Sequence, residues 1–159
     1  MNRFRANTGH YDPVRGFNFE VVFSGRGKQI YRTGFQKVTG VKSTINFVEY
    51  KEGGNNGVPD KIPSDVNYEP ITMTHGVTDS LEFPSAYASQ FTRLGAGMHN
   101  TYTIDIYLKD RDNRTVVRHT RLLNAMITSF QEGDLDAQSS AVAINTIVVT
   151  FSGVDYLPV

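Results

Sequence analysis

Four histidines, sixteen carboxylates and no cysteine are the groups from which this 159-residue chain would have to build a reactive site. His10, His75, His99 and His119 lie far apart, and none forms the His-Glu-x-x-His pair that turns two imidazoles toward one zinc ion. Asp110-Arg111-Asp112-Asn113 begins like a calcium loop, but Arg114 stands where an oxygen ligand is required and no Glu closes it, so it reads as a hairpin turn. Gly25-Arg26-Gly27-Lys28 has the wrong spacing for a phosphate loop. No Ser or Thr follows Lys28, and a strand continues where an anion-binding helix would be needed. Asp134 and Asp136 make a carboxylate pair inside a turn-like Gly133 to Ser140 segment that offers neither a base nor a nucleophile. No Gly-x-Ser-x-Gly elbow occurs, and zero Cys excludes disulfides, thiolate zinc sites and a cysteine nucleophile. The expectation is a protein without catalytic residues, metal or cofactor, and not an enzyme.

If the chain does no chemistry, its surface must carry the function. Hydrophobic residues make up 39% and charged residues 20%, the latter below the roughly 25% of an average soluble domain, as suits a surface covered by partners. The length fits one domain, which would bury roughly two-thirds of the surface its unfolded chain exposes. No apolar run approaches the roughly 18 residues that cross a bilayer, and Met1 to Asn7 lacks the apolar core of a signal peptide. Synthesis in a reducing cytoplasm, with no membrane insertion, is expected. The formal net charge of zero is unevenly spread: residues 1–42 hold eight Lys/Arg against two Asp/Glu, residues 43–97 three against seven, and residues 98–159 five against seven. The basic residues of the first segment form no cluster of five or more, so complementarity between copies explains them better than nucleic-acid recognition.

The elements that would present this surface are mostly strands. Phe17, Phe19, Val21 and Phe23 recur with period two, the mark of a half-buried strand. Further strands are expected over Gln29 to Val41, Ser43 to Tyr50, Pro70 to Val77, Asn100 to Asp110, Thr115 to Thr120, Leu122 to Gln131 and Ala141 to Ser152. One helix is expected from Pro84, with Tyr87, Phe91 and Leu94 on one face and Gly95 as its stop. The result is a mainly β, single-domain β-sandwich or barrel of about seven or eight strands with one short helix. Residues 51–67 stand out: Gly-, Asn- and Pro-rich, they read as a long inter-strand loop, and structureless loops beyond about 15 residues are usually functional.

Three blocks resemble the tail-tube protein family of contractile phage tails and related injection particles. They are Arg15-Gly16-Phe17-Asn18-Phe19 through Gly34-Phe35-Gln36-Lys37-Val38-Thr39-Gly40-Val41, then Val48-Glu49-Tyr50-Lys51-Glu52-Gly53-Gly54 through Tyr68-Glu69-Pro70-Ile71-Thr72-Met73-Thr74-His75-Gly76, and finally Leu123 to Met126 with Gly133 to Thr146. The resemblance covers most of residues 15–153. It implies one tail-tube domain over residues 1–159 with an extended amino-terminal arm at 1–16. Six copies would form a ring, rings would stack into a hollow tube for DNA or protein cargo, and sheath and baseplate or tube-initiator proteins would be partners. The expected location is a virion tail or injection particle. A closed ring would also join sheet edges that a lone subunit leaves open. The expected ring-stacking loop comprises Tyr50, Lys51, Glu52, Gly53, Gly54, Asn55, Asn56, Gly57, Val58, Pro59, Asp60, Lys61, Ile62 and Pro63. The alternative is a monomeric β-sandwich module that uses the 51–67 loop to hold a ligand.

Overall fold

The structure, a computed structural model, describes residues 16, 18–25, 28–51, 53–54, 57, 59–76, 82–94, 101–138 and 142–159. Among these are ten strands and one helix: β1 Phe19–Gly25, β2 Lys28–Thr33, β3 Lys37–Val38, β4 Ser43–Tyr50, β5 Asp60–Tyr68, β6 Ile71–Gly76, α1 Glu82–Leu94, β7 Tyr102–Lys109, β8 Val116–Gln131, β9 Ile144–Thr150 and β10 Gly153–Leu157. The fold is mainly β with one helix, as its patterning predicts. Eight strands join in the order β2-β1-β7-β8-β9-β6-β3, with β10 pairing β8, and β4 and β5 form a separate two-stranded sheet.

The expected strands from Thr115 to Thr120 and from Leu122 to Gln131 are one 16-residue strand, β8. Its first half pairs with β7 and β10 and its second half with β9. Between the halves Asn124 has φ 50°, a left-handed conformation that Asn tolerates better than most residues. Its side-chain amide donates to Ser152 Oγ at 3.0 Å, and the Ser152 N–H donates to the Leu123 carbonyl at 3.0 Å. Strands that pass from one layer to another do so at such corners. The expected strand Gln29 to Val41 is instead broken into β2 and β3.

Alternation works as the sequence implies in the body. Val21 and Phe23 on β1, Ile71 and Met73 on β6, and Ile147 and Val149 on β9 are all fully buried. Phe23 stacks edge-on against Phe83 of the helix at 5.4 Å and against Tyr102 at 6.3 Å, geometries that the ring quadrupole favours. Phe35 and His75 close the same cluster. The helix buries Phe83, Ala86 and Gln90 and half-buries Tyr87. The side chains of Phe91 and Leu94 lie outside the described set.

One correction concerns the segment 51–67. Its second part, from Asp60, is strand and not loop, pairing with β4 from Ser43↔Tyr68 to Tyr50↔Asp60. Pro63 and the flanking polar residues obscure the strand in the sequence. A two-stranded ribbon leaves one side of each strand unpaired, so a proline without an N–H is tolerated there. β10 is likewise absent from the sequence reading: it spans only five residues, Gly153–Leu157, too few for a clear period.

Candidate assembly surface

The β4–β5 hairpin is the region where composition and environment disagree. Every residue of β4 and all of β5 except Tyr68 are exposed, yet Ile45, Phe47, Val48, Tyr50, Ile62 and Val66 are each about half in water, from 48% to 58%. The register distributes them. Ile45 and Phe47 face Val66 and Pro63 across the ribbon on one side, while Val48 faces Ile62 on the other, next to Tyr50. One extra residue is accommodated on β5 between these pairs, where Asn46 donates to Asp65 Oδ2 at 3.2 Å and Ser64 Oγ to Asp65 Oδ1 at 2.7 Å. These two hydrogen bonds, Ser64 first, hold the Asp65 carboxyl below its ordinary range. Both faces of the ribbon therefore carry apolar residues, and among the described residues no strand of the larger sheet pairs with it. A lone hairpin is marginal in water, and a protruding apolar patch marks a surface made for a partner.

Its root is tied down. Tyr68 packs its ring on Phe151 at 5.4 Å, Lys42 pairs with Glu69, and the Glu69 N–H donates to the Lys42 carbonyl at 3.0 Å. At the tip, Gly53 and Gly54 form a turn in which Gly54 has φ +105°, a conformation that side-chain-bearing residues rarely adopt. Of the expected stacking residues, Tyr50, Lys51, Gly53, Gly54 and Gly57 lie exposed at this tip, Pro59 is half-buried, and Asp60, Lys61, Ile62 and Pro63 are on β5. Glu52, Asn55, Asn56 and Val58 lie outside the described residues. The reading of that stretch as loop directs attention to the tip and misses Ile45, Phe47 and Val66. The available signal was the apolar residues of 43–50 falling on both parities, which leaves no face for water.

Among the described residues, polar groups elsewhere are engaged with one another. Asp105, with a side chain 8% exposed, accepts from His119 Nε2 at 2.6 Å and from Arg121 Nε at 2.7 Å through the same oxygen. Tyr107 stacks on His119 at 4.4 Å, and burial, then the Asp105 charge, pushes the Tyr107 hydroxyl pKa upward. The hydrogen bond to Asp105 raises that of Arg121. Beside them Lys109 pairs with Glu20 at 2.6 Å. The arrangement is a ladder of paired charges on one sheet face. His75 is buried against Phe35 and Phe83, with Nδ1 2.8 Å from the Gly76 carbonyl, while His10 and His99 lie outside the described residues. Among the described residues no group of three or more His, Cys, Asp or Glu is placed to hold a metal ion. The Asp110–Arg114 segment is a turn in which Asp112 accepts from the N–H groups of Arg114 and Thr115, each at 2.9 Å. A groove of about 490 Å³ opens beside Phe19, Val38, Val41, Ile106, Leu108 and Tyr156.

The sequence over residues 15–155 matches the family described as T4-like virus tail tube protein gp19. Comparison with curated proteins gave no match. Among solved structures, the fold is similar to a chain of the anti-feeding prophage (AFP) baseplate, 6-fold symmetrised, with TM-score 0.74, 24% identity, and coverage of 93% of this chain and 97% of that one. A chain of the AFP tube terminating cap gives TM-score 0.75 at 19% identity over the full length of both. A chain of the PVC sheath-tube complex of an extracellular contractile injection system, in its extended state, gives 0.73 at 22% identity, covering 92% of this chain and 93% of that one.

Proposed function

Because the chain belongs to the T4-like virus tail tube protein family, we propose that it works by self-assembly, as six-membered rings stacked through the β4–β5 hairpin into the inner tube of a contractile tail or injection particle. The observation that carries this reading is the hairpin itself, a rooted ribbon with apolar residues on both faces that the other described residues leave exposed. A partner that covers both faces removes the cost of exposing them, at about 25 cal/mol per Å² of apolar surface. The six-fold symmetrised baseplate and the sheath-tube complex among the similar structures support a ring subunit with sheath and baseplate neighbours. The lumen would pass DNA or protein cargo without sequence-specific contacts, and the subunit would carry no catalytic activity of its own.

Negative-stain electron microscopy of purified protein tests this directly. Six-fold rings and rods are expected for the wild-type chain, and rings without rods for Phe47→Asp/Ile62→Asp. Isolated particles of one subunit would instead mean a monomeric binding module. Rods formed by the double variant as readily as by wild type would remove the hairpin from stacking.

A further inference from the structure

A stack that grows without closing needs a head-to-tail contact, in which a patch at one end of a subunit meets a different patch at the opposite end of the next. The sheet register identifies that opposite end. The hairpin leads through Glu69 into the start of β6, where Ile71 pairs with Val149, and β6 finishes at Gly76, paired with Ile144. Five strand steps separate the two ends, roughly 17 Å. The segment that joins β8 to β9 therefore enters at the end of β6 away from the hairpin root.

That segment also displays apolar side chains to water. Leu135 is 91% exposed, Val142 71% and Ile144 42%. Its start is held in place: a Cβ on Gly133 would lie 2.6 Å from the Ile144 nitrogen, and the Gly133 N–H donates to Oδ1 of buried Asn145 at 3.0 Å. The Gln138 N–H donates to Asp136 Oδ1 at 2.9 Å. Glu132, Asp134 and Asp136 are exposed beside Leu135, and the sequence contains no Lys or Arg after Arg121 to offset them.

We infer that residues 132–138 and 142–143 between β8 and β9, centred on Leu135, are the receptor for the β4–β5 hairpin of a second copy in the adjacent ring. Leu135 and Val142 offer apolar surface to Phe47, Val48 and Ile62, and the three carboxylates meet Lys51 and Lys61. The hairpin also holds Glu49, Glu52, Asp60 and Asp65 against its two lysines, so the charge match is confined to Lys51 and Lys61 and the apolar contact carries the docking. The inference rests on the hairpin being the stacking arm and adds the surface it docks on.

The absence of native cysteine makes a cross-link readable without background. Tubes of Ile62→Cys/Leu135→Cys, oxidised after assembly, should give a reducible ladder on a denaturing gel that extends past dimer, since each subunit joins one above and one below. Leu135→Asp alone should leave rings and thermal melting unchanged and slow elongation by about tenfold, the loss of one apolar anchor. No ladder from assembled tubes, together with wild-type growth of Leu135→Asp, would overturn the assignment, as would a ladder that stops at dimer. Phe47→Asp separates the two levels. If it blocks stacking while Leu135→Asp does not, the arm docks elsewhere; if neither slows growth, the arm reading itself fails.

Discussion

Strands β9 and β4 are of similar length and both are rich in apolar residues, Ile-Asn-Thr-Ile-Val-Val-Thr against Ser-Thr-Ile-Asn-Phe-Val-Glu-Tyr, and they meet opposite fates. In β9 the side chains alternate, with Asn145, Ile147 and Val149 buried and their neighbours half-buried or exposed. In β4 every position is exposed. The difference is not composition but support: β9 lies between β8 and β6 in the larger sheet, while among the described strands β4 pairs with β5 alone. Hydrophobic residues thus mark two kinds of surface in this protein, one covered on folding and one left exposed on the folded subunit.

Substitutions on each side should separate these kinds. Phe23→Ala, which empties the centre of the aromatic cluster, should cost about 3–5 kcal/mol and lower the melting temperature by roughly 10 °C or more in calorimetry. A smaller loss would mean the cluster collapses to fill the space. Asp105→Ala leaves Arg121 and His119 without their shared carboxylate, and denaturant unfolding should show a loss of about 1–3 kcal/mol. On the hairpin, Phe47→Asp should change subunit stability by no more than about 0.5 kcal/mol while abolishing rods in electron micrographs. Equal damage to folding and assembly would erase the distinction.

The smallest expected effect lies in the β7–β8 turn. There the Thr115 hydroxyl, followed by the N–H groups of Thr115 and Arg114, holds the Asp112 carboxyl below its ordinary range. A lowered folded-state value stabilises the protein above the ordinary carboxylate range, and that contribution fades as acid protonates the group. The stability gap between wild type and Asp112→Ala should be small at neutral pH and shrink toward zero on titration to about pH 3. A gap that widens in acid would contradict the assigned hydrogen bonds.

Much of the body was legible in the residues. The alternation through Val21 and Phe23, and through Ile104 and Ile106, specifies half-buried strands because side chains on an extended backbone point to opposite faces in turn. Pro84 and the Tyr87 spacing marked the helix, and the blocks from Arg15 to Thr146 carried the family resemblance. Residues 51–67 read as a loop in the sequence, whereas from Asp60 they are strand.

What the tertiary structure alone decided is which apolar residues remain uncovered and where the ends of the subunit lie. Pattern tells which side chains share a face, but whether another layer covers that face depends on contacts between residues distant in the chain. Ile71 and Ile62 belong to the same residue type, nine positions apart, yet one is 0% and the other 51% exposed. Likewise, Leu135 sits in a segment that reads only as a turn, and its placement away from the hairpin follows from the pairing of β6 with β9. Local sequence determines strand periodicity because backbone geometry is local, whereas burial depends on packing between segments that the chain brings together only on folding.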